Sequence, residues 1–126
     1  MDITPVIPTG RQVINGYGDG RFRINDVVWQ QPVLVLPVLT SAWTPVEGGD
    51  VEAVLASLAA LLDYRPAVEI LLFGTGKRLV PLPPRLRVAL SSRGVSADVM
   101  DTGAACRTYN VLLAEERRVA AALLPV

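Results

Sequence analysis

The sequence predicts a single domain with β-strands in its N-terminal third and alternating helices and strands in the remainder. Its 126 residues fall just short of the roughly 150 that are usual for one domain. A hydrophobic content of 51% against a charged content of 19% is typical of a chain that folds around an apolar core. Strand-like runs dominate as far as Leu36, whereas apolar residues at helical spacing first appear at Val51.

The first predicted element is a β-hairpin. Glycines are frequent over residues 16–20 and permit the positive φ angles that a tight reversal needs. Phe22 and Ile24 alternate with arginines, so both side chains are expected to face inward. Asn25 and Asp26 are turn residues, and the β-type residues that follow them complete the hairpin.

Two continuous apolar runs predict strands that are covered on both faces. The first, residues 33–36, ends at a proline and is expected to be central in the sheet. The second, residues 68–73, stops at a glycine-rich loop. Between them, residues 51–63 carry apolar side chains at helical spacing, and Asp50 is a good N-cap. The order in this part of the chain is therefore strand, helix, strand.

The C-terminal third predicts two more helices around a strand. Two prolines at the start and Gly94 at the end delimit a short helix. Residues 95–100 alternate weakly as a strand. Residues 104–115 have helical spacing, and Asp101 or Thr102 is the natural N-cap of that third helix.

The balance of charges disfavours nucleic acid as a partner. Twelve basic and twelve acidic residues cancel, so no overall field gathers phosphate backbones or anionic lipid. The charge is uneven along the chain, because residues 1–64 hold three basic and seven acidic residues whereas residues 65–126 hold nine and five. We therefore expect any anion site to lie in the C-terminal half.

Missing residue types exclude several kinds of site. The chain has no histidine, so a Ser-His-Asp or Cys-His set cannot form within it. Cys106 is the only cysteine, which excludes thiolate metal clusters and an intrachain disulfide and fits a reducing compartment. We predict neither cofactor nor metal. Met1 to Pro5 lack a secretion signal and no apolar stretch is long enough to span a bilayer, so we expect a cytoplasmic protein.

Two motifs form a candidate ligand-binding site. The glycine-rich loop over residues 74–78 follows a strand, and such loops expose backbone N–H groups to phosphates. Residues 101–103 match the tripeptide of aspartic proteases, which need a second copy that the chain lacks. The structural alternative for the loop is a glycine turn flanked by solvated cations. The structural alternative for residues 101–103 is a helix N-cap. The candidate residues are Gly74, Thr75, Gly76, Lys77, Asp101, Thr102, Gly103, Cys106 and Arg107.

Three residues have two interpretations each. The helix dipole and Arg107 favour a reactive thiolate at Cys106, although lone cysteines are usually inert core residues. Arg107 either binds an anion or forms a salt bridge to Asp98, Asp101 or another acid. Trp43 lies in a loop, where it packs in the core or, if exposed, anchors an interface.

Four segments together resemble those of a known family. They are residues 14–18 (INGYG), 33–37 (VLVLP), 72–76 (LFGTG) and above all 100–110 (MDTGAACRTYN). From about Ile14 to Pro125, the chain resembles the domain-of-unknown-function 498 family of small single-domain proteins, which includes the mitochondrial complex I assembly factor. The longest segment is specific to the family, whereas Gly-Thr-Gly alone is not.

The resemblance implies a fold. That fold is α+β, a layered domain with a mixed β-sheet, a hammerhead-like β excursion near the N-terminus and about three helices on one side. The alanine-rich run over residues 117–124 fits a helix and a strand equally by pattern, and the resemblance favours the strand. Glu116 stands in the preceding turn, where the family commonly has glycine. Mitochondrial members carry targeting extensions, and we expect none in this chain. It therefore resembles a bacterial cytoplasmic relative.

Three functions are open at this point. The first is a non-enzymatic module that binds or assembles partner proteins, which the resemblance and the missing histidine both favour. The second is a protein that binds a small anion or cofactor between the loop over residues 74–78 and the helix start over residues 103–107. The third is a thiol-dependent enzyme that uses Cys106.

Overall fold

Two β-sheets and four helices make up the part of the chain that the computed structural model describes, residues 10–48 and 50–126. The secretion-signal prediction at residues 1–5 lies outside those ranges. The elements are β1 Ile14–Gly18, β2 Arg21–Ile24, β3 Val27–Trp29, β4 Val33–Leu36, β5 Leu39–Ala42, α1 Val51–Ser57, α2 Ala59–Leu62, β6 Ile70–Gly74, α3 Pro84–Ser91, β7 Ser96–Met100, α4 Thr102–Ala114 and β8 Val119–Leu123.

The small sheet is the β excursion near the N-terminus. Its strands β1, β2 and β3 pair antiparallel in chain order. Asn25 and Asp26 have φ angles of 47° and 66° and turn β2 into β3, as their residue types predict. Phe22 and Ile24 are each 1% exposed, which confirms that both face inward. The predicted hairpin is therefore confirmed, with β1 as an additional strand.

The large sheet has the strand order β5-β4-β8-β6-β7. β4 pairs antiparallel with β5 and β8, whereas β6 pairs parallel with both β8 and β7. All four residues of β4 are buried, as predicted for a strand covered on both faces, although β8 takes the middle position. Because β5, β8, β6 and β7 share one direction, their C-terminal ends meet at the same edge of the sheet.

The alanine-rich run near the C-terminus is a strand, as the resemblance implies. Its five residues are all buried and alternate between two core clusters. Ala120 and Ala122 face the cluster that contains α1, α2 and α3, whereas Val119, Ala121 and Leu123 face the cluster that contains α4. Small side chains on the middle strand let covering layers approach it closely from both sides.

Helices lie on both faces of the large sheet, so the implied arrangement with helices on one side is wrong. Leu55, Leu61 and Leu86 pack α1, α2 and α3 on one face. Tyr109 of α4 and Phe22 of the small sheet pack on the other. The cause is the composition of the central strands, because strands that are apolar on both faces need a covering layer on each.

The predicted helix over residues 51–63 is present but interrupted. It consists of α1 and α2, which meet at Leu58, and together with α3 and α4 it accounts for the predicted helical segments. Asp50 caps α1 as expected, because its Oδ1 accepts a hydrogen bond from the backbone N–H of Glu52 at 3.1 Å.

The turn before β8 keeps a glycine-like geometry without a glycine. Glu116 has a φ angle of 62°, in the left-handed region where a side chain costs about 1–2 kcal/mol. The residue that departs from the family pattern therefore adopts the conformation that glycine would favour.

Candidate functional site

The two predicted loops lie side by side at the edge where β6 and β7 end. Gly74 and Met100 are paired partners in the parallel sheet. Beyond them, the N–H of Thr75 donates to the carbonyl of Met100 at 3.0 Å, and the N–H of Thr102 donates to the carbonyl of Gly76 at 2.9 Å. The structure therefore brings the glycine-rich loop and the start of α4 into direct contact.

Thr102 fills the junction between these two loops. Its side chain is fully buried. The Oγ1 atom accepts a hydrogen bond from the N–H of Gly76 at 2.9 Å and donates one to the carbonyl of Leu124 at 2.7 Å. The N–H groups of Thr75 and Gly76 both bond within the protein, so neither points to a ligand. Thr102 instead joins three segments, which are the loop after β6, the start of α4 and the chain after β8.

Gly74 makes this close approach possible. A Cβ atom at Gly74 would lie 2.8 Å from Cδ2 of Leu123 and 3.1 Å from both Cα and Oγ1 of Thr102. These neighbours are themselves buried, so they have little freedom to move aside. Gly74 is buried too, and its place at the predicted site has a packing explanation.

Lys77 and Arg78 form the exposed tip of the glycine-rich loop. The hydroxyl of Thr75 donates a hydrogen bond to the carbonyl of Arg78 at 2.5 Å. The same hydroxyl accepts a hydrogen bond from the N–H of Val80 at 3.0 Å. These bonds close the loop beneath its tip. Neither cation forms a salt bridge within residues 10–48 and 50–126.

The start of α4 is held by a cap and by an aromatic side chain. Asp101 caps the helix, since its Oδ1 accepts a backbone N–H hydrogen bond at 2.9 Å. Gly103 lies beneath Tyr17, whose hydroxyl oxygen would be 2.9 Å from a Cβ atom at that position. Arg107 is exposed, and its Nη1 donates to the same hydroxyl. In the described part of the chain this bond replaces the alternative salt bridge of Arg107 to an aspartate.

Cys106 belongs to the core. It is 2% exposed and packs in the cluster between α4 and the large sheet. Burial raises the pKa of its thiol to about 12, and this effect outweighs the opposite influence of the neighbouring Arg107. Because the thiolate is the nucleophilic form, both properties disfavour the hypothesis of a thiol-dependent enzyme. They agree with the alternative interpretation of Cys106 as a core residue.

Two polar residues of α4 attach the helix to the N-terminal segment. The hydroxyl of Tyr109 donates to the carbonyl of Gln12 at 2.9 Å. Asn110 bonds the backbone of Ile14 in both directions, because its Oδ1 accepts from the N–H at 3.0 Å and its Nδ2 donates to the carbonyl at 2.8 Å. The segment over residues 100–110, which carries the resemblance, thus has a structural role along most of its length.

An apolar cleft that sequence reasoning missed lies at the same edge of the sheet. It has a volume of about 410 Å³ and lies on the face that α1 and α3 cover. In its wall the rings of Trp43 and Phe73 are tilted, with centroids 6.4 Å apart, and Nε1 of Trp43 donates to Oγ of Ser57 at 3.2 Å. Its lining residues are Trp43, Pro45, Val46, Glu47, Gly48, Val54, Phe73, Thr75, Val80, Pro81, Leu82, Pro83, Leu86, Val99 and Leu124.

Apolar side chains are also exposed around the mouth of the cleft. Val80 is 55% exposed, its neighbour Leu79 is 57% exposed, and Val46 across the mouth is 36% exposed. Contiguous exposed apolar surface on a globular protein marks interaction sites. The signal in the sequence is the stretch Leu-Val-Pro-Leu-Pro over residues 79–83, which belongs to no regular element before α3.

Clusters of metal-binding side chains and membrane-spanning helices are both absent from the described ranges, 10–48 and 50–126. No group of three His, Cys, Asp or Glu side chains there is placed to hold a metal ion. None of the helices there has the length and hydropathy of a membrane span. The expectations of a cytoplasmic location and of no nucleic-acid partner stay predictions, as does ligand binding at the two loops.

Known proteins are similar to this chain over most of its length. The model of a protein family of unknown function, DUF498/DUF598, matches residues 14–124. An uncharacterized protein from Rhodobacter capsulatus is 43% identical over 117 residues, which cover 93% of this chain and 87% of that protein. NADH dehydrogenase (ubiquinone) 1 alpha subcomplex assembly factor 3 from Danio rerio is 37% identical over 113 residues. That match covers 90% of this chain but only 64% of the zebrafish protein, so the chain spans less than two thirds of it.

Solved structures share the fold as well. A crystal structure from Bordetella parapertussis has a TM-score of 0.80 and 37% identity, covering 94% of this chain and 98% of that one. The solution structure of a Mth938-like domain from Bordetella pertussis has a TM-score of 0.78 and 33% identity, with coverages of 99% and 92%. These similarities confirm the α+β fold with its mixed sheet.

Proposed function

Because the chain belongs to the DUF498/DUF598 family, we propose that it is a non-enzymatic protein-binding module that assists the assembly of a multisubunit complex. Relatives from several animals are named as assembly factors of NADH dehydrogenase, and we extend that role to this chain. The family match spans every element from β1 to β8, so the proposal concerns the fold as a whole and not one motif of it.

The apolar cleft is the observation that carries the proposal. Its walls combine a tryptophan, a phenylalanine and several aliphatic side chains, and Leu79 and Val80 remain exposed beside its mouth. Tryptophan is enriched among the residues that contribute most to binding energy at protein interfaces. Trp43 is half-buried and hydrogen-bonded to Ser57, so it is held in place before any partner arrives.

The polar residues support binding better than catalysis. The N–H groups of Thr75 and Gly76 and the hydroxyl of Thr102 are occupied by bonds within the protein. The thiol of Cys106 is buried, and its pKa is raised to about 12, so it stays protonated well above neutral pH. The apolar cleft, by contrast, is open to a partner without any rearrangement of hydrogen bonds.

Co-purification from the native host tests the proposal. The tagged full chain is recovered under mild conditions, and the subunits of the NADH dehydrogenase complex in the eluate are quantified by mass spectrometry. We expect the wild type to recover such subunits and Val80→Asp to lose them, because a carboxylate at the mouth opposes apolar contact. Since the side chain of Val80 is 55% exposed, the substitution leaves the core intact.

Val111→Asp is the matched control. Val111 is 56% exposed on α4, which covers the opposite face of the large sheet. The control variant is expected to recover subunits as the wild type does. Recovery of no subunit by the wild type, or an equal loss in both variants, would contradict the proposal.

A further inference from the structure

We infer that the cleft and the loop tip together bind an acidic, apolar segment of a partner protein. In this arrangement an apolar side chain of the segment enters the cleft, and a neighbouring carboxylate pairs with Lys77 or Arg78. The inference rests on the proposed function and adds the chemistry of the partner to it.

The extent of the apolar surface favours a polypeptide over a small molecule. The cleft volume of about 410 Å³ lies in the range of ligand pockets, roughly 300–1,000 Å³. A ligand that only filled the cleft would, however, leave Leu79 uncovered, because Leu79 is 57% exposed and is not part of the cleft lining. A chain segment that crosses the mouth covers Leu79 as well and places one of its side chains inside.

The charges beside the mouth favour an acidic segment. Lys77 follows Thr75 by two residues and Arg78 precedes Val80 by two, and both Thr75 and Val80 line the cleft. Two residues span at most about 7 Å, so the backbone of each cation lies within about 7 Å of a residue that lines the cleft. Both cations are exposed and form no salt bridge in the described part of the chain. A carboxylate on the partner supplies the missing counter-charge.

The opposite wall fixes the orientation of the segment. Glu47 lines the cleft on the side of the loop over residues 43–48, so its carboxylate repels an acidic residue there. The acidic residue of the partner is therefore expected on the side of Lys77 and Arg78. Exposed ion pairs contribute little to affinity, so the apolar side chain supplies most of the binding energy and the charges select the partner.

Short random peptides displayed on phage are the probe. They are selected on the full chain, and the affinities of enriched peptides, made synthetically, are measured by tryptophan fluorescence. The chain has two tryptophans, so the variant Trp29→Phe leaves Trp43 in the cleft wall as the single reporter. We expect enriched peptides to carry an apolar residue next to Asp or Glu and to change the fluorescence of Trp43.

Two charge reversals separate local from general electrostatics. The double change Lys77→Glu with Arg78→Glu is expected to weaken peptide binding about tenfold at low salt, and less at high salt. The double change Arg21→Glu with Arg23→Glu alters net charge equally, but these exposed residues belong to the small sheet, which covers the other face. This control is expected to bind as the wild type does. Urea unfolding of each variant verifies that it is folded.

Several results would overturn the inference. These are enrichment of peptides with neutral or basic flanks, no enrichment at all, or an equal loss of peptide affinity in both charge reversals. Binding of decanoate, a small carboxylate with an apolar chain, in place of any peptide would overturn it too. Its failure is separable from that of the proposed function. If subunit recovery depends on Val80 but no acidic peptide is enriched, only the inferred chemistry of the partner is rejected. If acidic peptides bind in a way that depends on Val80 but no subunit is recovered, only the assembly role is rejected.

Discussion

Replacing Thr102 with valine should cost this protein a large part of its stability. Valine has nearly the same shape as threonine, so the substitution leaves no cavity at this fully buried position. It removes the hydroxyl that accepts from the N–H of Gly76 at 2.9 Å and donates to the carbonyl of Leu124 at 2.7 Å. Two backbone groups then lose their partners at the edge of the sheet.

The expected loss follows from those two groups. A buried donor or acceptor left without a partner costs about 1–3 kcal/mol. Gly76 and Leu124 are both half-buried, so water satisfies part of the loss, and we expect a total of about 2–4 kcal/mol. Domains of this kind have about 5–15 kcal/mol of stability in all, so the change is a substantial fraction of it.

Urea unfolding of the full chain measures this effect, and Thr108→Val is the matched control. Thr108 is half-buried in the same helix, and its hydroxyl forms no hydrogen bond within residues 10–48 and 50–126. The control should change the free energy of unfolding by less than about 0.5 kcal/mol. Equal losses in Thr102→Val and Thr108→Val would refute the reasoning. Faster amide exchange at Gly76 in Thr102→Val alone would locate the effect.

Further expected outcomes concern the same region. Gly74→Ala should lower the free energy of unfolding by about 1–3 kcal/mol, because its buried neighbours cannot yield, whereas Gly103→Ala should be tolerated because the exposed Tyr17 ring can move aside. Tyr109→Phe should cost about 1–2 kcal/mol and speed amide exchange in β1, since it loses the hydrogen bond to the N-terminal segment. The pKa of the Cys106 thiol is about 12 in the folded protein against an ordinary 9.0. The contribution of the protonated thiol to the free energy of unfolding is therefore complete below pH 9 and is lost as the pH rises further. Urea unfolding from pH 7 to pH 10.5 should show a loss of stability above pH 9 that steepens toward about 1.4 kcal/mol per pH unit above pH 10 and that Cys106→Ala lacks, and equal slopes would contradict this.

Local patterns predicted the elements whose causes are local. Asp50 and Asp101 cap helices because their side chains reach backbone N–H groups two or three residues away. Asn25 and Asp26 form the turn into β3 because their residue types tolerate positive φ angles. The alanines of β8 carried no such signal, since their environment is decided by which layers cover the strand, and only the family resemblance favoured a strand there.

The meeting of the two loops was also predictable, but their chemistry was not. Parallel neighbouring strands end at one edge, which brings Gly76 and Thr102 together. Which partner satisfies the N–H of Gly76 depends on packing, and here the hydroxyl of Thr102 accepts its hydrogen bond. The cleft was missed because Trp43 and Val80 are far apart in the chain and meet only after the sheet has formed.

The predicted ligand site and the cleft are two sides of one structure. Leu124, whose carbonyl accepts from Thr102, lines the cleft, and so does Thr75, whose hydroxyl holds the backbone of Val80 at the mouth. The polar residues that suggested an anion site therefore fix the position of the apolar wall. If the cleft binds the partner, Thr75→Val should weaken the affinity of the enriched peptides, because the loop that carries Val80 loses its internal support.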